Sequence, residues 1–263
     1  RDDARHRHAV QIGKDLRRTF PTLPAFADAH ALGALERVLH AYVQRDHALG
    51  YTQSMNYVAG VLLAYARTEC DAYRGFCALL NDDGGALHGA RADGEQRVRL
   101  RGMFTRDFPV LVEQLYVFTA LLRAKLPQLH AHLARLGVHA HMYATAWYMT
   151  LFTAVLRVDV AAHVLDNVLL RGWPFMHATA LAALQLTDAM LLECTELDAA
   201  LGELSALGDA FTRSSVLVAT ARRLMAPNAV RRHRRHFAKL KARHGAGAIT
   251  IGNVHAFADA ESG

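Results

Sequence analysis

Residues 35–60 have the sequence LERVLHAYVQRDHALGYTQSMNYVAG, and this stretch decides the fold class because it contains a helix, a break and the start of a second helix. Apolar side chains recur at spacings of three and four before the break, at Leu35, Val38, Leu39, Tyr42 and Val43. This spacing is typical of an amphipathic helix, and Gly50 ends it. A second helical pattern runs from Ser54 to Tyr65. We therefore predict two packed helices joined by a turn that carries Gln53.

The same spacing continues through most of the chain and predicts an all-α, multi-helix fold. Further helices are expected at 71–80, 108–122, 127–136, 140–156, 159–171, 175–193, 195–224 and 227–244. Expected helix caps are Asp71 and Asp159, and a further helix is expected to start at Thr195, where Asp198 makes a weak capping-box match. Residues 81–95 are rich in glycine and charge and are predicted to form a surface loop, and only 248–254 alternates as a strand would. We expect one helical domain over 1–225, followed by a basic helix and tail over 226–263.

Composition limits the class of protein. With 263 residues, 52% of them hydrophobic and 21% charged, the chain has the balance of a globular protein. Its longest apolar run, 142–156, is shorter than the roughly 20 residues of a spanning helix, so no membrane span is expected. Three cysteines without a CxxC pattern favour a reducing, intracellular compartment. The start at Arg1, without a methionine, suggests a part of a longer protein whose N-terminal portion is truncated.

The positive net charge of +6 is concentrated in one segment. Residues 227–244 contain seven of the 30 Lys and Arg residues and no acid, so the remainder of the chain is close to neutral. Val230, Phe237 and Leu240 form a thin apolar line along this segment. It is either a solvated helix or a contact for an acidic membrane surface or acidic partner. Nucleic acid is disfavoured, because no aromatic residues are interleaved with the charges.

Motifs for self-contained chemistry are absent. The pairs His130/His132 and His139/His141 are two residues apart on predicted helices, where their side chains diverge, and no HExxH occurs. The phosphate-binding patterns GxxxxGK[ST] and GxGxxG and the nucleophile pattern GxSxG do not occur either. We expect no metal site and no cofactor bound by the chain itself.

Two short motifs remain. Residues 12–21, IGKDLRRTFP, place Asp15 and Arg18 three apart on one helix face, where a carboxylate can orient a guanidinium. Taken alone this is a solvated pair or a catalytic arginine. Gln53 taken alone is a helix-start residue that bonds backbone amides, or a functional amide.

The combination IxxDxxRTFP followed by GYxQxMNYVAG resembles the TBC-domain family of Rab GTPase-activating proteins. The later blocks LPQLHAHLARLGVHAHMYATAWYMTLF and HVLDNVLLRGW follow in the family's order, so the resemblance covers about residues 10–180 and extends towards 225. It implies that Arg18 is an arginine finger and that Gln53 is a glutamine finger. Both would act on the GTP of a partner Rab-family GTPase, which brings its own GTP and Mg²⁺.

The resemblance also implies supporting roles. Asp15 would orient the arginine loop, Tyr51 would pack beneath the Tyr-x-Gln turn, and Asn56 would tie that turn to its neighbours. Trp147 and Phe152 are expected in the core.

The implied function is that of a GTPase activator in membrane traffic, which is not an enzyme with a substrate of its own. We expect a cytoplasmic location, including peripheral attachment to endomembranes, in a eukaryotic cell. The chain has Ser54 where the family usually has glycine, and Leu165 where it has tryptophan before aspartate. A catalytically weak or inactive TBC-type scaffold that binds a Rab or another partner is therefore the alternative.

Overall fold

The computed structural model describes residues 2–21, 26, 29–81, 98–245 and 247–260. Within these ranges the regular elements are helices and no strand occurs, which confirms the all-α prediction. No helix in these ranges is both long and apolar enough to cross a membrane. The loop predicted over 81–95 lies outside the described residues, except for Asn81.

Four helices form the N-terminal part of the structure. They are α1 (Asp2–Leu16), α2 (Ala29–Arg45), α3 (Met55–Tyr65) and α4 (Glu69–Asn81). The apolar stripe predicted for α2 is buried, as expected from its period. The Asp71 cap is wrong: α4 begins two residues earlier, and the Thr68 hydroxyl accepts a hydrogen bond from the Asp71 N–H at 3.1 Å.

A buried helix forms the centre of the fold. After the short α5 (Arg101–Phe104), α6 (Pro109–Lys125) is buried from Leu111 to Leu122 except at Glu113. Pro127 opens α7 (Pro127–Arg135) as predicted, and α8 (Ala140–Met149) follows. Helix α6 packs against α5, α7, α8 and three later helices, so it is a common support for much of the C-terminal half.

The predicted helix over 140–156 is too long. It ends at Met149, and Leu151 and Phe152 adopt φ of 50° and 66° in the left-handed region. Phe152 is fully buried and stacks on Trp147 with ring centroids 5.2 Å apart, while its N–H donates to the Trp147 carbonyl at 2.8 Å. Packing of these two core residues fixes a turn that periodicity does not reveal, and their predicted burial is confirmed.

The following segment is also more broken than predicted. It contains α9 (Val158–Arg171), α10 (Trp173–Leu186), α11 (Asp188–Glu193), α12 (Leu197–Ala206), a 3₁₀ helix (Leu207–Ala210) and α13 (Ser214–Leu224). The single helix expected over 175–193 is interrupted at Thr187, whose hydroxyl donates to the Ala183 carbonyl at 2.9 Å. The predicted Asp159 cap is wrong, because Arg157 occupies the cap position of α9. The predicted start at Thr195 with a capping box to Asp198 is also wrong, because Glu196 is the N-cap of α12 and makes no side-chain capping bond.

The C-terminal segment packs onto the central helix. Pro227 opens α14 (Pro227–His244), and α15 (Val254–Asp259) follows. Both contact α6. The strand expected at 248–254 is wrong: Asn253 accepts a hydrogen bond from the Thr250 N–H at 2.7 Å and folds this segment into turns. The domain boundary at 225/226 stays a prediction.

Candidate functional site

Arg18 and Gln53 lie on two turns at the helix ends of the N-terminal part. Arg18 follows the end of α1, where its N–H donates to the Asp15 carbonyl at 3.2 Å. Gln53 precedes α3. Both side chains are exposed, and that of Arg18 keeps 47% of its surface.

Asp15 anchors the turn that carries Arg18, which we call the arginine turn. Its carboxylate is 1% exposed and accepts hydrogen bonds from the Arg18 guanidinium at 2.5 Å, the Tyr51 hydroxyl at 2.6 Å and the Gln11 amide at 3.1 Å. A buried carboxylate is stable only when such donors replace its lost hydration. The Arg18 side chain is therefore anchored through one nitrogen and still accessible to a partner.

Tyr51 joins the two turns. It is buried, and its hydroxyl reaches Asp15 across 36 positions of sequence. Burial, and next the hydrogen bond to the Asp15 carboxylate, raise the pKa of Tyr51 above its ordinary value. The hydroxyl therefore keeps its proton and remains the donor in this pair. The supporting role of Tyr51 stays a prediction; the structure shows that the residue is buried and makes a polar contact.

Asn56 makes the second connection. Its side-chain oxygen accepts the Ser54 N–H at 3.1 Å and lies 3.2 Å from the Tyr51 hydroxyl, and its amide donates to the Thr19 hydroxyl at 2.8 Å. Thr19 in turn donates to the Asp15 carbonyl at 2.7 Å. These bonds form one network, the finger network, which consists of Asp15, Thr19, Tyr51 and Asn56.

Two aromatic residues, Tyr57 and Phe20, also support the arginine turn. The Tyr57 hydroxyl donates to the Arg18 carbonyl at 3.3 Å, and the Tyr57 ring meets the Phe20 ring edge-on at 5.5 Å between centroids. Phe20 adopts φ of 50°, and a Cβ at Gly60 would lie 2.9 Å from its ring. The sequence reasoning assigned no role to Thr19, Phe20, Tyr57 or Gly60, although all four lie inside the two motifs.

The glutamine turn is strained. Ser54 is the N-cap of α3 with φ of 90°, and its side chain makes no capping bond. Gln53 therefore does not occupy the cap position, and in the described part of the chain its amide has no hydrogen bond. Just before it, Gly50 has φ of 66° and lies directly against His8 of α1, whose Nδ1 accepts the Tyr51 N–H at 3.3 Å. Only glycine fits there.

A cavity of about 520 Å³ opens between α3, α4 and α9. Val61, Leu62, Ala72 and Leu165 contribute apolar walls, and Asp166 is exposed at its edge. Leu165, which stands where the family has tryptophan, is 4% exposed and forms part of this wall.

The histidine pairs named above do not form a ligand set. Among the residues that the structure describes, no three His, Cys, Asp or Glu side chains are placed to hold a metal ion. His139 instead stacks on His255 of α15 with ring centroids 3.8 Å apart. His132 contacts the Cys194 carbonyl through Nε2 at 3.0 Å.

Most of this chain is similar to known proteins of one family. The model of the Rab-GTPase-TBC domain family matches residues 1–192. The Drosophila melanogaster protein named Ecotropic viral integration site 5 ortholog is 29% identical over 192 residues, which are 72% of this chain and 22% of that protein. TBC1 domain family member 4 of Mus musculus is 31% identical over 189 residues, 71% of this chain and 13% of the relative. The chain thus spans about a fifth or less of these relatives' length.

Solved structures share the fold. The Chlamydomonas flagellar RabGAP TBC domain superposes with a TM-score of 0.63 at 26% identity, covering 81% of this chain and 66% of that chain. The Ypt/Rab-GAP domain of Gyp1p has a TM-score of 0.67 at 15% identity, covering 84% and 72%, and supports the fold alone. The matched residues 1–192 include Arg18, Gln53 and the finger network, and the chain belongs to the Rab-GTPase-TBC domain family.

Proposed function

We propose that this chain accelerates GTP hydrolysis by a Rab-family small GTPase and supplies Arg18 and Gln53 in trans to the bound nucleotide. The observation that carries this proposal is the finger network. It fixes the turns of both residues while their side chains stay exposed. The partner contributes GTP and Mg²⁺.

The chemistry explains the need for these two residue types. GTP hydrolysis is slow because the attacking water is poorly oriented and negative charge develops on the phosphoryl oxygens. An exposed guanidinium can neutralise that charge, an effect of about 10³–10⁵ in rate for arginine fingers. An amide can accept a hydrogen bond from the water and donate one to a phosphoryl oxygen. Preorganisation by the network lowers the reorganisation that the transition state requires.

The names of relatives support the same activity. One relative of 165 matched residues and 33% identity is named GTPase-activating protein GYP5, and one from Caenorhabditis elegans is named Rab GTPase-activating protein eat-17. A specific observation favours the alternative of an inactive scaffold: Ser54 places a side chain at a positive φ directly beside Gln53, where a GTPase would approach.

Single-turnover GTP hydrolysis by a panel of Rab GTPases tests the proposal. We expect acceleration of at least one Rab, and a loss of roughly thirtyfold or more, about 2 kcal/mol in the barrier, for Arg18→Ala and for Gln53→Ala. Arg17→Ala and Gln128→Ala are matched controls, because both residues are exposed and lie outside the finger network.

Equal loss in the matched controls would remove the assigned roles of Arg18 and Gln53. If the chain binds the GTP form of a Rab while hydrolysis stays at the intrinsic rate, the scaffold alternative is correct.

A further inference from the structure

The basic helix α14 has two opposite faces. Val230, His233 and Phe237 are buried. Because each helical residue is rotated by about 100°, Arg232, Arg235, Lys239 and Arg243 fall within an arc of about 80° on nearly the opposite side. All four are exposed. We call them the cationic stripe; it is about 16 Å long at 1.5 Å per residue.

The charges of the cationic stripe are not neutralised within the described part of the chain. None of its four residues has a carboxylate partner there. One ion pair of α14 lies on its flank, where Arg234 donates to Glu113 of α6 at 2.8 Å. Since α14 contains no acidic residue, the stripe presents four adjacent positive charges to solvent.

The apolar side of α14 is occupied by the protein itself. Phe237 packs on Tyr116 of α6 with ring centroids 5.2 Å apart, and the Tyr116 hydroxyl lies 2.6 Å from His236 Nδ1. An amphipathic helix that inserts into a bilayer needs its apolar face free. Contacts of α14 with an outside partner are therefore electrostatic.

We propose that the cationic stripe holds this protein at the surface of an anionic membrane without insertion. Clusters of four or more Lys and Arg on one helix face are attracted to acidic phospholipid headgroups. This inference goes beyond the proposed GTPase activation, and it uses none of the residues of the finger network.

The geometry favours a flat partner over other anionic partners. Since α14 is packed against α6 and α10, the cationic stripe, and not the whole helix, is free to contact a duplex groove about 12 Å wide. Single-stranded nucleic acid needs aromatic stacking residues, and the stripe has none. A specific protein interface needs a buried apolar or aromatic anchor, which the stripe also lacks.

Vesicle co-sedimentation of the full chain tests this inference. We expect at least about tenfold stronger partitioning onto phosphatidylcholine vesicles that contain phosphatidylserine than onto phosphatidylcholine alone, in about 0.1 M salt. Because Debye screening shortens the reach of the charges to a few ångströms at about 1 M salt, the binding should be lost there.

Two double variants distinguish an effect of the cationic stripe on vesicle binding from an effect of the net charge of the protein. Arg235→Glu/Lys239→Glu should lower partitioning about tenfold or more, whereas Arg106→Glu/Arg213→Glu changes net charge equally at exposed sites outside α14 and should have little effect. Unchanged circular dichroism and unfolding midpoints establish that both variants are folded. Absence of binding to anionic vesicles, or equal loss in both double variants, overturns the inference. Tighter binding to duplex DNA than to these vesicles at the same salt also overturns it.

Discussion

Asp15 is the residue on which the candidate site depends. A buried carboxylate loses its hydration, and here a guanidinium, a phenol and an amide replace it. If one of these hydrogen bonds is broken, the other two remain, but the buried charge of Asp15 is then only partly compensated. The resulting loss of stability is larger than the net contribution of the hydrogen bond itself. The same charge that positions Arg18 is thus satisfied by Tyr51 of the second turn. Both turns share one electrostatic centre.

Ser54 is the residue that conflicts with its backbone. Its φ of 90° is unfavourable for any residue with a Cβ, at a cost of about 1–3 kcal/mol, and its side chain makes no capping bond that would offset this. We expect Ser54→Gly to raise the free energy of unfolding by about 1 kcal/mol, after subtraction of the greater chain entropy of glycine. Equilibrium denaturant unfolding measures the change.

Ser215→Gly is the control for this substitution. Ser215 is exposed in the first turn of α13, a right-handed helical position. Glycine there should lower the free energy of unfolding of the protein by a few tenths to about 1 kcal/mol. Destabilisation by both variants would show that φ at Ser54 is not a source of strain. A simultaneous rise in Rab GTP hydrolysis for Ser54→Gly would show that the Ser54 side chain hinders the GTPase, as the scaffold alternative supposes.

Helix α3 is the element that couples the two turns that carry Arg18 and Gln53. Its N-terminal end carries the glutamine turn, and Asn56, Tyr57 and Gly60 on its first two turns contact the arginine turn. A rigid helix keeps these contact points at fixed spacing, so the two turns have one common support.

Gly60→Ala should shift the arginine turn. The added Cβ would lie 2.9 Å from the Phe20 ring, so the ring must move, and it would lie in contact with the Thr19 methyl at 3.4 Å. We expect acceleration of Rab GTP hydrolysis to fall about tenfold or more, since displacements near 1 Å cost up to about a hundredfold in rate. Overpacking should cost about 1–3 kcal/mol of stability, against roughly 1 kcal/mol gained from the helix propensity of alanine.

Gly13→Ala provides the matched comparison in α1. A Cβ there meets nothing within 4 Å, so this substitution should stabilise the protein by up to about 1 kcal/mol and leave hydrolysis unchanged. If Gly60→Ala behaves in the same way as Gly13→Ala, then α3 does not control the position of the arginine turn.

At the scale of the whole molecule, a buried histidine joins α6, α8 and α10. His177 of α10 is 1% exposed and lies between Tyr148 of α8 at 2.7 Å and Gln114 of α6 at 3.1 Å. Burial, followed by the nearby charges of Arg234 and His233, lowers the pKa of His177 to about 3. Burial also lowers the pKa of His139 and of His141, which stack beside His255.

These shifts predict a loss of stability in mild acid. Above pH 6.5 each histidine is neutral in both states, so its full contribution is present. As pH falls from 6.5 towards 3 the unfolded chain takes up the proton and the folded chain does not, which costs about 1.4 kcal/mol per pH unit for His177 alone. Denaturant unfolding at pH 7.5, 6.5 and 5.5, with pH steps of about one unit, measures this slope.

His177→Gln tests the assignment. It removes the titrating group and should reduce the slope of stability against pH, even where it lowers stability overall. His244→Gln, at an exposed position on α14, should leave the slope unchanged. A slope that is the same in wild type and His177→Gln would show that His177 does not govern the acid response.

Much of the fold follows from local patterns, and its exceptions have physical causes. The apolar period predicted the all-α class and the positions of α2, α3, α6 and α9, because burial of one helix face leaves a repeat in the sequence. Helix ends were less predictable. The turn at Leu151 and Phe152 and the break at Thr187 depend on contacts with side chains and carbonyls that the linear pattern does not contain.

The candidate site shows the same division. Arg18, Gln53, Asp15, Tyr51 and Asn56 were predicted from two motifs and a family resemblance, and their roles stay predictions. Thr19, Phe20, Tyr57 and Gly60 were not assigned, because their importance arises only when α1 and α3 are brought together. Their roles depend on contacts across more than 30 positions of sequence.

By itself, the sequence determined the helical class, the two motifs and the concentration of positive charge in 227–244, since each is a local property of spacing or composition. Only the tertiary structure decided that Asp15 serves both turns, that Ser54 stands at a positive φ, and that Phe237 of α14 is buried against Tyr116 of α6. The physical reason is that burial and hydrogen bonding depend on which distant segments meet. A single sequence records the side chains and not their partners.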